Sequence, residues 1–225
     1  MSNQKNAISM ICLGETGTGK TTFINALLGD RLLPVSIRPS TACFCGLSHG
    51  QEFSAVYFAG GERRAAPPEK LAEILDLETT PLPPWEMVEI TCPALGLKDC
   101  QVIDTPPLSL WSAEVWAKVE EYSSRCDFIL WFIPADQVGR RADREALQRL
   151  GRPERIIGVL NRMDRMEADE GRRALERAKE YFGSLVKEIV PLSARLLYQG
   201  RVEDNPEKLA KSGWSVLEKI IRGHF

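Results

Sequence analysis

A glycine-rich stretch directly follows the first apolar run of the chain and ends in a lysine and two threonines. Its sequence is Gly14-Glu15-Thr16-Gly17-Thr18-Gly19-Lys20-Thr21-Thr22. One glycine, four residues and then Gly-Lys-Thr is the spacing of a P-loop, whose main-chain N–H groups surround the phosphates of a nucleotide. The helix expected after it adds the positive end of its dipole. We therefore predict that Gly14 through Thr22 form a phosphate-binding site.

Two side chains of this loop have chemistry of their own. We expect Lys20 to reach the β and γ phosphates and the hydroxyl of Thr21 to bind Mg²⁺. The alternative is an ordinary glycine-rich turn, which is disfavoured because the motif lies between a strand pattern and a helix pattern.

A second polar motif, Asn161-Arg162-Met163-Asp164, follows the apolar run Ile156–Leu160. The Asp164 carboxylate can accept hydrogen bonds from N1 and N2 of guanine, whereas adenine has an acceptor at N1 and no amino group at C2. The alternative is an ordinary polar loop at the end of a strand, and the position after the penultimate strand argues against it. The motif favours a guanine nucleotide.

The elements that position these residues alternate along the chain. Strand-like runs precede helical patterns three times: Ala7–Leu13 and Thr21–Leu28, Phe128–Ile133 and Ala142–Leu150, Ile156–Leu160 and Ala174–Val186. This alternation predicts an α/β fold in three layers, with a mostly parallel sheet and helices on both faces.

The stretch between Thr41 and Asp104 interrupts this alternation. Its short runs at Phe53–Phe58, Val88–Cys92 and Cys100–Ile103 predict antiparallel hairpins at one edge of the sheet. We therefore predict a hairpin-rich insertion over residues 42–100.

Further elements are predicted inside the insertion and at the end of the chain. Pro67-Pro68-Glu69 begins a helical pattern, and Pro81–Pro84 predicts a stiff connector. A C-terminal helical segment is expected over residues 205–225, with Gly213 as a candidate break. We predict one domain over residues 1–225.

Composition sets the remaining limits. With 225 residues and 44% apolar content, the chain can form one hydrophobic core. The 29 Lys and Arg residues nearly balance the 31 Asp and Glu residues, so no global positive field attracts nucleic acid or lipid. No apolar run approaches the roughly 20 residues of a membrane-spanning helix, and Met1–Asn6 lacks a signal-peptide pattern. We expect a cytoplasmic protein without a specific nucleic-acid partner.

The six cysteines are scattered, and several fall in buried-strand patterns, so we expect reduced structural thiols. Cys43 and Cys45 would share one face of a strand, but no second Cys or His pair completes a zinc site.

The order of the motifs resembles that of the Ras-like class of GTPases. The order is the P-loop, Thr41, Asp104-Thr105-Pro106, Asn161 to Asp164, and Ser193-Ala194-Arg195. Within this class, Pro39-Ser40-Thr41 and the insertion before Asp104 resemble the dynamin superfamily, bacterial dynamin-like proteins in particular. The resemblance covers nearly the whole chain. The P-loop sequence also resembles immunity-related and septin-like GTPases.

This resemblance implies a three-layer P-loop GTPase domain that hydrolyses GTP to GDP with Mg²⁺ as a conformational switch. Lys20 and Thr41 would serve catalysis, with Thr41 closing on Mg²⁺ and the γ-phosphate and Asp104 holding Mg²⁺ through water. The implied contacts to the guanine end are Asn161, Arg162, Asp164, Ser193, Ala194 and Arg195.

The resemblance also implies partners. Relatives of this kind dimerise across the nucleotide site, use a monovalent cation such as K⁺, and reach a membrane or protein partner through a helical stalk. We expect either a domain fragment or a stand-alone module, with peripheral membrane contact as an open possibility.

Three positions depart from the family pattern. Pro107 occupies the place of a glycine whose N–H bonds the γ-phosphate, and proline has no N–H. Leu108 occupies the place where many Ras-like proteins have a water-orienting glutamine, which dynamin-like proteins also lack. Gly17 has no side chain to hold a cation, which leaves Thr16 and Thr18 as substitutes. We expect slow or partner-stimulated hydrolysis, because phosphoryl transfer depends on positioning and charge stabilisation.

Two alternatives to a hydrolysing switch remain. One is a GTP- or GDP-binding interaction module with negligible hydrolysis. The other is a ribosome-associated GTPase, which is disfavoured because no basic RNA-binding extension is present.

Basic and aromatic residues outside these motifs also have two interpretations. The six arginines between residues 140 and 155 are a phosphate-binding patch or, by preference, an exposed helix face of mixed charge. Trp111 and Trp116 pack against the core or anchor a partner that senses the nucleotide.

Overall fold

In the computed structural model, residues 7–33, 43–59, 62–65 and 85–223 are described, and nine strands in these residues form one sheet. The strands are β1 Ile8–Leu13, β2 Phe44–His49, β3 Ser54–Ala59, β4 Glu62–Ala65, β5 Trp85–Cys92, β6 Cys100–Asp104, β7 Phe128–Pro134, β8 Ile156–Asn161 and β9 Glu188–Pro191. Their order across the sheet is β4-β3-β5-β2-β6-β1-β7-β8-β9.

Five neighbouring strands, β6, β1, β7, β8 and β9, are parallel. All seven residues of β7 are buried, which is typical of a parallel strand covered on both faces. Because the five strands point in one direction, their carboxyl ends lie at the same edge of the sheet. The residues that follow these ends are therefore brought together.

The other strands form the mixed half of the sheet. β2 pairs antiparallel with β6 and parallel with β5, and β3 pairs antiparallel with β4 and β5. The prediction of edge hairpins therefore needs one correction. Cys100–Ile103 belongs to β6, which lies in the centre of the sheet between β1 and β2, with Val102 buried.

Seven α-helices in the described residues cover the two faces. They are α1 Lys20–Leu28, α2 Ala113–Arg125, α3 Arg141–Leu150, α4 Ala168–Phe182, α5 Ala194–Val202, α6 Pro206–Lys211 and α7 Trp214–Arg222. Phe23 of α1 and Leu217 of α7 pack in one core cluster, and Leu147 of α3 and Phe182 of α4 pack in the other. The predicted three-layer α/β fold is confirmed.

Two helix boundaries have identifiable physical causes, and the one at Gly213 coincides with the break that the sequence suggested. α4 begins six residues before Ala174, where the Glu170 carboxylate accepts a hydrogen bond from the Glu167 N–H at 3.3 Å and caps the first turn. In the C-terminal segment, Gly213 has a φ of +80° and separates α6 from α7. A side chain at Gly213 would collide with the Pro191 carbonyl oxygen, so glycine is required there.

Several predicted features lie outside the described residues. They are Pro39-Ser40-Thr41, the helical pattern that begins at Pro67, and the connector Pro81–Pro84. Thr41 is therefore not placed. Across the described ranges, none of the helices has the length and apolar character needed to cross a bilayer. The six cysteines are free thiols, five of them buried.

Candidate nucleotide-binding site

The P-loop connects the carboxyl end of β1 to the start of α1, and its backbone requires glycine. Gly14, Gly17 and Gly19 have φ values of +137°, +70° and +98°, a region that other residues adopt at a cost. A Cβ at Gly14 would lie 2.8 Å from the Phe132 carbonyl oxygen, and one at Gly19 would overlap the Asn161 amide. The loop thus packs directly against the ends of β7 and β8.

Lys20 is held inside this loop. Its Nζ donates hydrogen bonds to the carbonyl oxygens of Gly14 at 2.8 Å and Glu15 at 3.0 Å. Burial lowers the pKa of Lys20, and the Asp104 carboxylate acts in the opposite direction. Since an ammonium group has three donors, Lys20 can keep both carbonyls and still donate to a phosphate oxygen.

Thr21 and Asp104 meet beside the lysine. The Thr21 hydroxyl donates to Asp104 Oδ2 at 3.0 Å, and the N–H of Thr105 donates to Oδ1 at 3.0 Å. Asp104 is 1% exposed. A hydroxyl and a carboxylate are oxygen ligands of the kind that Mg²⁺ prefers. These two residues fit the predicted magnesium site, directly or through water.

The predicted guanine end is assembled from three loops. Asn161 donates through Nδ2 to the Thr18 carbonyl at 2.7 Å and accepts the Ala194 N–H at 2.9 Å. Asp164 Oδ1 accepts the Ser193 hydroxyl at 2.6 Å. Asn161 thereby ties the P-loop to the start of α5, and Asp164 is oriented at the same end of the sheet.

Ser193 and Arg195 both contact Asp164. The Ser193 oxygen also accepts the Leu196 N–H at 3.1 Å, so it caps α5 while it orients the carboxylate. Arg195 lies 3.8 Å from Asp164 Oδ2 and is largely exposed. Because Arg195 is exposed to solvent and 3.8 Å away, whereas the Ser193 hydroxyl donates at 2.6 Å, Ser193 rather than Arg195 fixes the carboxylate.

Arg162 forms a second link between loops. Its φ is +68°, and Nη1 lies 3.1 Å from Oδ2 and 3.2 Å from Oδ1 of Asp136. Nη2 donates to the carbonyl oxygen of Gly17. The guanidinium group therefore joins the P-loop to the turn after β7, a planar arrangement that a lysine would not reproduce.

A buried carboxylate lies at the amino-terminal turn of α3. Asp143 accepts a hydrogen bond from Trp131 Nε1 at 3.2 Å, and its Oδ2 has no hydrogen-bond partner. Arg140 Nε lies 3.9 Å from that oxygen. Burial, the largest cause, raises the pKa of Asp143 to about 6 despite the Arg140 charge.

The arginines after residue 140 are mostly engaged within the chain. Arg141 pairs with Glu145, Arg149 pairs with Glu120 and stacks on Trp116, and Arg144 donates to the Tyr181 carbonyl oxygen. This arrangement fits the interpretation of a helix face of mixed charge.

The two tryptophans after Asp104 are half-buried and pack on the second core cluster. Their rings meet edge to face with centroids 4.7 Å apart. Trp111 Nε1 donates to the Pro106 carbonyl at 2.8 Å, so this ring is held by residues directly after Asp104.

The remaining predicted residues have structural contacts within the loop. Thr18 is buried and its hydroxyl donates to the Glu15 carbonyl at 2.9 Å, while the Thr16 N–H donates to the Glu15 carboxylate at 2.7 Å. Thr22 is partly buried on α1. The Thr18 hydroxyl is therefore turned into the loop, and its role as a substitute cation ligand stays a prediction.

Sequence reasoning missed Asp136, Asp143 and Ser109. Asp136 lies two residues after the carboxyl end of β7, and this position was a usable signal. Its partner Arg162 becomes evident only when β7 and β8 are known to be neighbours. Asp143 resembles an exposed helix residue in the sequence, and Ser109 belongs to no motif.

A P-loop after β1, an aspartate at the end of β6 and Asn161 to Asp164 after β8 on a three-layer fold define a P-loop GTPase domain. A sequence profile of the dynamin family matches residues 10–163. This chain belongs to the dynamin family. The agreement confirms the resemblance derived from the order of the motifs.

Individual relatives are more distant. An uncharacterized protein in the xynA 3' region of Caldicellulosiruptor sp. (strain Rt8B.4) is 24% identical over 97% of this chain and 57% of its own length. Dynamin-like protein 2 of Campylobacter jejuni subsp. jejuni serotype O:23/36 (strain 81-176) is 26% identical over 84% of this chain and 31% of its own length. The chain thus spans 57% or less of these two relatives.

The structural comparison supports the same fold. An oligomerised bacterial dynamin pair, described as a mechanism for the long-range sensing and tethering of membranes, matches with a TM-score of 0.75 at 19% identity. The match covers 98% of this chain and 38% of the solved one.

Proposed function

We propose that this chain binds GTP and GDP with Mg²⁺ and hydrolyses GTP to GDP as a dynamin-like conformational switch. One observation carries the proposal: Lys20, the Thr21–Asp104 pair and the Ser193–Asp164 pair lie at the same edge of the sheet. These groups suit phosphate, Mg²⁺ and guanine in the order in which a nucleotide presents them.

The proposed division of roles follows from the contacts. Lys20 binds the β and γ phosphates, Thr21 and Asp104 hold Mg²⁺, and Asp164 recognises guanine. Asn161 and Arg162 keep the P-loop and the base-binding loop at a fixed separation. Thr41 is proposed to close on the γ-phosphate on the strength of the family resemblance.

Hydrolysis is proposed to be slow in the isolated chain. Pro107 has no N–H for the γ-phosphate, and the apolar side chain of Leu108 cannot orient the attacking water. We propose that dimerisation across the nucleotide site supplies the missing groups, with K⁺ as an additional cofactor.

The cellular setting is proposed by analogy. A cytoplasmic domain over residues 1–225 that contacts a membrane or protein partner indirectly agrees with the membrane tethering described for the bacterial dynamin pair. We propose that residues 42–100 form an insertion of the kind that the resemblance to the dynamin superfamily implies.

A second function is favoured by a specific contact. The Leu108 N–H, the first main-chain donor after Pro107, is bonded to the Gly14 carbonyl at 3.2 Å. A site in which the segment after Asp104 offers no free main-chain donor to the γ-phosphate can hold nucleotide without hydrolysing it. The alternative is therefore a nucleotide-occupancy module with negligible hydrolysis.

Phosphate release separates the two functions. We would measure turnover of GTP and ATP over a wide range of protein concentration, in K⁺ and in Na⁺, with Lys20→Ala as the inactive control. The switch proposal expects GTP turnover per molecule to rise with protein concentration. Binding of GTP without phosphate release at the highest concentration would support the occupancy module, and equal affinity for ATP would refute the role of Asp164.

A further inference from the structure

The carboxylate of Glu15 joins the P-loop to the residues that follow Asp104. Its Oε1 accepts hydrogen bonds from the Ser109 hydroxyl at 2.7 Å, the Ser109 N–H at 3.4 Å and the Thr16 N–H at 2.7 Å. Oε2 lies 3.5 Å from the Arg140 guanidinium group. Although burial by itself raises the pKa of Glu15, these hydrogen bonds and the Arg140 charge lower it overall. The carboxylate is therefore an ionised acceptor at a fixed place.

A main-chain contact runs beside this side chain. The Leu108 N–H donates to the Gly14 carbonyl at 3.2 Å. Pro106 and Pro107 have no N–H, so the first main-chain donors after them are those of Leu108 and Ser109. Both donate to the P-loop. The segment after Asp104 is thus attached to the loop through its own residues.

The same segment is connected to α2. Trp111 Nε1 donates to the Pro106 carbonyl at 2.8 Å, and the Trp111 ring packs edge to face on Trp116 of α2 and on Trp131 of β7, with centroids 4.7 and 6.2 Å apart. Because β7 is fully buried, Trp131 is a fixed reference. Trp111 therefore links residues 106–109 to α2 and to the buried strand β7.

We propose that Glu15 is a positioning residue, whose side chain holds Ser109, beside the main-chain contact of Leu108, against the P-loop in place of the γ-phosphate contact that Pro107 cannot make. The proposal rests on the proposed nucleotide site. An ionised acceptor forms stronger hydrogen bonds than a neutral one, which suits this task. Arg140 offsets the negative charge of Glu15 beside a site for anions, and Asp143 lies 3.9 Å behind Arg140.

Variants at the two partners test the contact through turnover. Glu15→Ala is expected to lower the rate of single-turnover phosphate release about tenfold, because displacement of residues 106–109 mispositions the reacting groups. Its GDP affinity should stay within about threefold of wild type, since the main chain of the loop is retained. Glu15→Gln should recover much of the rate, because its amide oxygen still accepts from Ser109. Ser109→Ala should match Glu15→Ala, and the double variant should be no slower.

Amide hydrogen exchange supplies a readout that does not need hydrolysis. In the GDP-bound protein, peptides covering residues 105–112 should exchange faster in Glu15→Ala and Ser109→Ala than in wild type. Glu15→Gln should stay close to wild type, as should the control Glu145→Ala, which removes an exposed carboxylate paired with Arg141.

The two proposals fail in different ways. If the wild type binds GDP and releases no phosphate, the hydrolytic function is refuted, and the exchange of residues 105–112 still decides on Glu15. Unchanged exchange in Glu15→Ala would overturn the positioning role. A loss of GDP affinity as large as the loss of rate would also overturn it, because Glu15 would then act on nucleotide binding itself.

Discussion

Asn161 offers a direct test of how the site is built, because it bridges two loops from a buried position. Replacing it with alanine leaves the Thr18 carbonyl and the Ala194 N–H without their partner, which bonded them at 2.7 and 2.9 Å. Each buried polar group left without a partner costs about 1–3 kcal/mol. Asn161→Ala should therefore lower the free energy of unfolding by about 2–6 kcal/mol by the same rule.

A second buried asparagine provides a matched control. Asn25 of α1 donates to the Leu33 carbonyl at 2.8 Å and accepts the Leu33 N–H at 2.9 Å. Asn25 is 1% exposed and Asn161 is 2% exposed, so the two residues are equally buried. Asn25→Ala removes the same two kinds of hydrogen bond away from the guanine end of the site. Its loss of stability should be similar to that of Asn161→Ala.

The two variants should differ in nucleotide binding. Asn161→Ala frees the P-loop from α5, and we expect GDP to bind at least about tenfold more weakly, a change of about 1.4 kcal/mol. Asn25→Ala should stay within about threefold of wild type. Denaturant unfolding and titration of a fluorescent GDP analogue, both below the unfolding temperature, give the two quantities. Equal GDP affinity in the two variants would refute the reasoning that Asn161 couples the loops.

Three further predictions concern charge and metal. The pKa of Asp143 is raised to about 6 in the native state, from about 3.9 in the unfolded chain. Between these two pH values, the Asp143 carboxyl keeps a proton in the native state that it has lost in the unfolded chain. The wild type should thus lose up to about 3 kcal/mol of stability relative to Asp143→Asn as pH rises from 4 to 7.5, and parallel unfolding curves at all pH values would contradict this. Asp136→Asn weakens the ion pair that holds Arg162 and should reduce GDP affinity about threefold, an effect that salt diminishes. A GDP affinity equal to that of wild type at low salt would show that the Arg162–Asp136 pair does not support nucleotide binding. Thr21→Ala should reduce the gain in GTP affinity that Mg²⁺ provides about tenfold, while GTP binding in EDTA is unchanged. Thr21→Ser, which keeps the hydroxyl, is the control. An undiminished gain from Mg²⁺ in Thr21→Ala would exclude Thr21 as a ligand.

The sequence by itself determined the local parts of this protein. Glycine spacing defines the P-loop because only glycine tolerates its backbone angles, and the apolar runs identify β7 and β8 because strands buried on both faces need continuous apolar residues. The order of the motifs then identified the dynamin family. The P-loop and Asp164 both follow strands predicted to be parallel, and parallel strands share their carboxyl ends at one edge of a sheet.

Tertiary structure alone decided which loops touch each other across the site. Strand order placed β6 in the centre of the sheet, although its short length and neighbouring glycines had suggested an edge hairpin. Asp136 and Arg162 became partners because β7 and β8 are adjacent, and Glu15 met Ser109 because β1 and β6 are adjacent. Sequence patterns encode the face on which a side chain lies, but contacts between residues far apart in the chain depend on strand pairing. The connection between the P-loop and the residues after Asp104 is of this kind, so it could be found only in the folded chain.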